Sequence, residues 1–180
     1  AELDDAVIKL MEVRYRLGEM DGDSPWDEIP FEKLCCQEHA DLALKMARES
    51  IVLLENDGIL PLDNGQKVVL MGPNAADSTM FWGNYNGFPL RTVTLLDGLR
   101  DKGVDVKYVE GVPHAVSESV KEIDYAAYVE AAGDCDVVIF AGGISPALEG
   151  EEMPVAVPGF KGGDRTSIEL PAVQRELVKA

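Results

Sequence analysis

The strongest β-strand signal in the chain lies at residues 135–143, CDVVIFAGG, where a run of apolar, mostly β-branched side chains ends in two glycines. A second run, KVVLMGP at residues 67–73, has the same form. A third, VDVKYVEG at residues 104–111, alternates apolar and polar side chains. Near-continuous apolar strands are typical of parallel sheets that are covered on both faces. The three runs therefore predict parallel strands near residues 67–71, 105–109 and 136–141.

Segments with the 3.6-residue periodicity of amphipathic helices lie before, between and after these strands. The predicted helices cover residues 3–17, 39–50, 93–102 and 123–132, and a last helix opens at Pro171. The run IVLLEN at 51–56 either extends the second helix or forms a short strand. Strands that alternate with helices predict an α/β fold, here a three-layer α/β/α sandwich with a mainly parallel sheet.

Composition excludes several classes of partner. The 180 residues carry 16 Lys and Arg against 33 Asp and Glu, for a net charge of -17. Such a surface repels phosphate groups, so neither nucleic acid nor an anionic membrane is an expected partner. No run approaches the ~20 apolar residues of a membrane span. Cys35, Cys36 and Cys135 lack the spacing of a zinc site, and we expect neither a metal nor a cofactor.

Three carboxylates, Glu149, Glu151 and Glu152, follow the strongest strand in a glycine-containing loop. Ligands of open α/β sheets bind beyond the carboxyl ends of the strands, where this loop lies. Crowded carboxyl groups are one way to hold a proton for general acid catalysis at neutral pH. Two alternatives stay open for these residues: a solvated acidic loop, and a metal site, although the D-x-D-x-D-G pattern of calcium loops is missing.

Other polar and aromatic residues near the same edge have two interpretations each. Trp82, Tyr85 and Phe88 stack on sugar rings or anchor their own loop, and Arg165 forms a structural ion pair with Asp164 or clamps a substrate. The loop after the 67–73 strand contains neither GxGxxG nor GxxxxGK[ST], which disfavours a flavodoxin-like nucleotide or flavin binder.

Five segments of the chain resemble glycoside hydrolase family 3. They are ARESIVLLENDGILPL (47–62), VVLMGPNA (68–75), GNYNGFP (83–89), RTVTLLDGL (91–99) and EGEE with GGDRTSIELPAVQ (149–174). A sixth, AVIKLMEVRYRLGEMD (6–21), resembles the last helix of the family's preceding barrel domain. The resemblance implies that residues 1–18 close a (β/α)8-type barrel, 19–38 form the interdomain linker, and 39–180 form a C-terminal α/β sandwich that is incomplete at its end.

The resemblance also implies a mechanism. Members of the family are retaining glycosidases whose active site lies between the two domains, with an Asp nucleophile on the barrel and a Glu acid/base on a loop of the sandwich. In this chain the acid/base falls in the Glu-rich loop ahead of Asp164 and Arg165, with Glu151 as the first choice and Glu149 as the second. The chain alone, without the barrel's nucleophile, is predicted to be inactive.

Within the family, GNYNGFP followed by RTVTLLDG is similar to the β-xylosidase and α-arabinofuranosidase branch. The expected activity is exo-hydrolysis of β-linked xylo-oligosaccharides by a periplasmic or secreted enzyme, with the substrate held together with the barrel domain. The alternatives are a β-glucosidase of the same family and a non-catalytic sugar-binding α/β module.

Overall fold

The computed structural model describes residues 1–20, 22, 24–120 and 122–180 and divides into two compact units, Ala1–Glu55 and Asn56–Ala180. The first unit contains helices α1 (Glu2–Arg16) and α2 (Gln37–Ser50) and a short 3-10 turn at Phe31–Lys33. Acidic side chains begin α1 and basic ones end it, which suits the helix dipole. The helices predicted at 3–17 and 39–50 are confirmed, whereas the division at residues 18 and 38 stays a prediction.

The run at 51–56 is neither a helix nor a strand. Helix α2 ends at Ser50, and Ile51 already has an extended backbone with φ -74° and ψ 125°. All six residues of the run are exposed. The β-branched pair Ile51 and Val52 favours this extended conformation, and the run has no neighbouring strand in the described chain with which to pair.

The second unit is built on a three-stranded parallel sheet. Its strands are β1 (Val68–Met71), β2 (Val106–Val109) and β3 (Val137–Phe140), in the order β2-β1-β3. The register pairs Val68 with both Val106 and Val137. The three predicted strands are confirmed, and the central position of β1 explains why its four residues are all buried.

Helices cover both faces of this sheet. They are α3 (Leu95–Asp101), α4 (Tyr125–Ala132) and α5 (Ala172–Lys179). On one face Leu70, with 0% exposure, packs with Leu96 of α3. On the other face Val69 and Met71 pack with Ala132 of α4 and with Val173 and Leu177 of α5. Alternate side chains of one strand thus serve two cores, and the predicted three-layer sandwich is confirmed.

The unit also contains a small hairpin that was not predicted. Strands β4 (Phe160–Lys161) and β5 (Asp164–Arg165) pair antiparallel across Gly162 and Gly163. Both glycines have positive φ, 62° and 91°, as a two-residue hairpin turn of type I′ requires. Strands of two residues are too short to give an alternating pattern in sequence.

The connections of the sheet locate a crevice. Strand β1 leads to α3 on one face, while β3 leads to α5 on the other face, and the two strands are neighbours. Such a switch point is where open α/β sheets bind ligands, beyond the carboxyl ends of the strands. In the described part of the chain, no helix has the length and apolarity needed to cross a bilayer.

Candidate active site

The loops that follow β1 and β3 are joined at their roots. The backbone N–H of Asn74 donates to the carbonyl of Ala141 at 3.0 Å, and that of Ala141 donates to Met71 at 2.7 Å. Gly72 has a φ of 108°, and a Cβ atom there would lie 2.5 Å from the Ala141 carbonyl oxygen. Only glycine allows the two backbones to approach this closely.

The acidic loop, residues 145–153, is held in place by its neighbours. The N–H of Glu149 donates to the carbonyl of Ser145 at 3.1 Å, which closes a turn. Gly150 donates to the carbonyl of Gly163 in the β4–β5 hairpin at 3.1 Å, and Asn84 Nδ2 donates to the Glu149 carbonyl at 3.3 Å. The loop is therefore fixed from both sides, while Glu151 and Glu152 stay exposed.

Glu151, the first-choice acid/base, meets an aromatic residue of the GNYNG segment. The hydroxyl of Tyr85 donates a hydrogen bond to Oε2 of Glu151. This hydrogen bond to a carboxylate raises the pKa of Tyr85 above its usual value, because the phenol proton is shared with the negative charge. The side chains of Glu151 and Glu152 are exposed, whereas Glu149, the second choice, is half-buried. The structure thus brings two separately noted motifs together.

The other aromatic candidates divide into an anchor and exposed rings. Trp82 Nε1 donates to Thr92 Oγ1 at 2.9 Å, and its ring packs edge-on against Phe88 with centroids 6.3 Å apart. Trp82 therefore anchors its own loop. Tyr85 and Phe88 are 87% and 90% exposed, although Phe88 packs against Trp82 and the Tyr85 hydroxyl reaches Glu151.

Arg165 has a structural role. Its Nε donates to the carbonyl of Ser167 at 2.8 Å, its guanidinium also reaches the carbonyl of Glu169, and it lies 4.9 Å from the ring centroid of Phe160. The side chain braces the segment after β5, so the structural interpretation holds through backbone carbonyls instead of an ion pair with Asp164. Within the described residues, no three or more His, Cys, Asp or Glu side chains gather as metal ligands do.

A cavity of about 820 Å³ lies at the same edge of the sheet, beside β2 and α4, and His114 and Asp77 contribute to its lining. Burial lowers the pKa of His114, although the negative charge of Asp77 opposes this shift. The pKa of Asp77 lies below its usual value. Burial acts to raise it, but the hydrogen bonds that the carboxylate accepts from the hydroxyl and N–H of Thr79 lower it by more. Neither Glu149 nor Glu151 lines this cavity.

Sequence reasoning missed the side chains that hold the root of the acidic loop. Asn74, His114 and Gln174 meet there: His114 Nε2 lies 2.5 Å from Asn74 Oδ1, and Gln174 bonds to the backbone of Gly143. The available signal was a single polar residue, Gln174, on the apolar face of α5 between Val173 and Leu177.

Comparison with known proteins identifies the family to which this α/β sandwich belongs. Residues 51–180 match the glycosyl hydrolase family 3 C-terminal domain. The chain is 30% identical to a xylan 1,4-beta-xylosidase of Xylanibacter ruminicola, over 99% of the chain and 38% of that protein. It is 35% identical to a probable exo-1,4-beta-xylosidase of Neosartorya fischeri, over 98% of the chain and 21% of that protein.

Solved structures give the same result. A family 3 exo-beta-xylosidase, XlnD, bound to a xylobiose aziridine probe, superposes with a TM-score of 0.75 at 31% identity, over 96% of the chain and 21% of that protein. A beta-glucosidase of Listeria innocua in complex with glucose gives 0.70 at 28% identity, over 98% of the chain and 23% of that protein.

The fold and these matches define the α/β sandwich domain of a glycoside hydrolase. The chain belongs to glycoside hydrolase family 3, and residues 51–180 are its C-terminal domain. It spans between about a fifth and two fifths of the length of the relatives described above.

Proposed function

We propose that this chain supplies the general acid/base loop of a retaining exo-β-xylosidase. The observation that carries the proposal is the placement of Glu151, a carboxylate exposed on a loop anchored from both sides at the carboxyl edge of the sheet. Such a group can reach a glycosidic oxygen held by another domain, because its own domain leaves the carboxylate uncovered.

The chemistry assigns two steps to this carboxyl group. In its protonated form it gives a proton to the leaving oxygen while a second carboxylate attacks the anomeric carbon; in its ionised form it then removes a proton from the water that hydrolyses the glycosyl-enzyme. The two carboxyl groups of a retaining enzyme lie about 5–5.5 Å apart across the bond. The nucleophile comes, by resemblance, from an Asp on the barrel domain, which is the partner that completes the sugar site.

The proposed substrate is a β-linked xylo-oligosaccharide. Its support is that the relatives at 30% and 35% identity carry xylosidase names and that the GNYNGFP segment, whose Tyr85 contacts Glu151, is similar to the xylosidase branch. A β-glucosidase is the second candidate, favoured by the TM-score of 0.70 with the glucose-bound Listeria enzyme. Secretion or export to the periplasm, where such oligosaccharides are met, is part of the proposal.

Leaving-group dependence in the complete enzyme tests the role of Glu151. General acid help is worth about 10²–10⁴-fold, but a leaving group that needs no proton does not benefit from it. Glu151→Ala should therefore reduce kcat/KM for xylobiose by about 10²–10⁴-fold and leave kcat/KM for 2,4-dinitrophenyl β-xyloside nearly unchanged. Without the general base, hydrolysis of the glycosyl-enzyme should be slow and kcat for the aryl substrate should fall; added azide should restore this kcat and yield the β-glycosyl azide.

Two matched variants decide between the carboxylates. Glu149→Ala tests the second choice in the same assays, and Glu152→Ala is the control from the same loop. If the selective loss follows Glu149 and not Glu151, the acid/base role moves to Glu149. If Glu149→Ala and Glu151→Ala each lower kcat/KM for the two substrates by the same factor, the acid/base is neither of these residues. Comparison of aryl xyloside, arabinofuranoside and glucoside hydrolysis by the unaltered enzyme separates the xylosidase from the glucosidase.

A further inference from the structure

We propose that Gln174 is a positioning residue for the acid/base loop, acting through the backbone of Gly143. The inference rests on the proposed function, since it concerns the same loop, but its evidence lies in a different part of the domain. Gln174 belongs to α5, far along the chain from the loop, and its side chain reaches across the carboxyl edge of the sheet.

The amide of Gln174 is fully used by the backbone. Its Oε1 accepts from the N–H of Gly143 at 2.8 Å, and its Nε2 donates to the carbonyl of the same residue at 2.6 Å. The second proton of Nε2 goes to the carbonyl of His114, also at 2.6 Å. The side chain is 0% exposed, so water cannot replace a bond that is lost. One amide thus fixes both backbone polar groups of Gly143.

Asn74 holds the same segment from the other side. Its Nδ2 lies 3.3 Å from the carbonyl of Gly142 and 3.5 Å from that of Ile144, and its Oδ1 accepts from His114 Nε2 at 2.5 Å. The amide nitrogen of Asn74 faces two carbonyls, so the amide oxygen Oδ1 faces His114. Because Oδ1 can only accept a hydrogen bond, Nε2 of His114 carries the proton. Gly143 has a φ of 143°, and a Cβ there would lie 2.7 Å from Asn74 Nδ2. The segment therefore has a single shape, fixed by side chains from β1's loop and α5.

This segment is the root from which the acidic loop projects. Past Ile144 the chain turns at Ser145, whose carbonyl accepts from the N–H of Glu149. A displacement at Gly143 is thus carried to the carboxylates through one tight turn. Misplacing a catalytic group by 1 Å can cost about 10²-fold in rate. Gln174 bonds to both backbone polar groups of Gly143 at this root, so its amide contributes to where the acid/base lies.

The test is Gln174→Met in the complete enzyme, which keeps the volume of the side chain and removes its hydrogen bonds. We expect kcat/KM for xylobiose to fall by about 10²-fold and kcat/KM for 2,4-dinitrophenyl β-xyloside to change less than about threefold. If Gln174 only stabilised the fold, the substitution would lower kcat/KM for both substrates by the same factor, which is the fraction of enzyme that stays folded. Equal losses on the two substrates would therefore overturn the proposal.

A control and a second variant make the result specific. Leu177→Ala, about one turn along the same helix and also buried, should lower the melting temperature without altering the ratio of the two rates. If Gln174→Met does not fold, Asn74→Ala removes the bonds from the other side and should change the ratio in the same direction; an unchanged ratio there would also overturn the proposal. If neither Glu149→Ala nor Glu151→Ala is selective, the proposed function fails; if one is selective and the positioning variants are not, only this inference fails.

Discussion

The hydroxyl of Tyr85 donates a hydrogen bond to Oε2 of Glu151 and so joins two loops that are 66 residues apart in sequence. The bond connects an aromatic residue of the GNYNGFP segment to the first-choice acid/base. Its two ends come from the two loops that follow the neighbouring strands β1 and β3. The phenol thereby becomes a reporter of the carboxylate beside it.

The titration of Tyr85 should depend on Glu151. Its pKa is raised by the hydrogen bond to the carboxylate, so Tyr85 should ionise above pH 10. Glu151→Gln removes the negative charge and should lower this pKa towards the usual value, whereas Glu152→Gln should leave it in place. Carbon-13 NMR of the labelled tyrosine rings, with Tyr85 assigned by Tyr85→Phe, measures the shift. An unmoved titration in Glu151→Gln would argue that the two side chains do not meet in solution.

The turn between β4 and β5 should tolerate alanine unequally at its two glycines. Gly162 has open space around its missing Cβ, so Gly162→Ala should lower the free energy of unfolding by about 1–2 kcal/mol, the cost of a left-handed backbone. At Gly163 a Cβ would overlap the carbonyl of Gly150, so Gly163→Ala should cost about 1–3 kcal/mol more. Urea unfolding of the two variants gives the difference, and equal costs would contradict the packing of the hairpin on the acidic loop.

Stability should fall as the pH drops below about 6.5, the pKa of an unperturbed histidine. Burial lowers the pKa of His114 in the folded chain, so the unfolded chain binds more protons between the two pKa values. The free energy of unfolding therefore rises with pH across that window, and the contribution of His114 is complete above it. His114→Asn should flatten this dependence, as measured by urea midpoints at pH 7.5 and 5.5.

Two features make that measurement specific. The carboxyl groups with a lowered pKa, such as Asp77 and Glu176, titrate below the ordinary values of 3.8 and 4.5 and so affect stability only at lower pH. His39→Asn is the matched control, because His39 is exposed on α2 in the other unit. A midpoint that changes with pH as much in His114→Asn as in the unaltered chain would remove His114 as the cause.

The 180-residue chain alone should release no nitrophenol from aryl β-xyloside or β-glucoside above a buffer blank. A retaining glycosidase needs two carboxyl groups on opposite sides of the scissile bond, whereas Glu149, Glu151 and Glu152 share one loop. The complete enzyme serves as the positive control. Turnover at even a thousandth of a typical ~10 s⁻¹ would show that the chain has its own nucleophile.

The sequence predicted the parts of the fold that repeat a pattern. The runs predicted β1, β2 and β3 to within one residue at each end. Strand β1 is buried on both faces and needs apolar side chains at successive positions, whereas β2 was predicted from an alternating run and is exposed at Lys107 and Tyr108. The hairpin at 160–165 was missed, since two-residue strands carry no period. The prediction of a helix or strand at 51–56 was wrong. The apolar side chains of this run suggested a packed element, but they are exposed.

The sequence predicted which loop carries the candidate site, but not which side chains contact that loop. The position of Glu149 and Glu151 after the strongest strand indicated an acidic edge, and the resemblance gave it a role. The residues that contact that edge could not be predicted, because Tyr85, Asn74 and Gln174 approach it from distant parts of the chain. A glutamine on an apolar helix face, such as Gln174, indicates a buried bond without naming its acceptor.

The bonds of Gln174 give the domain an order of assembly. The acidic loop precedes α5 in the chain, yet the side chain that fixes the loop's root belongs to α5. During synthesis on a ribosome the carboxylates therefore emerge before the residue that sets their position, and the loop cannot reach its final shape until α5 has left the exit tunnel and packed against the sheet. Helix α5, which is translated after the loop, completes the edge that carries Glu149 and Glu151.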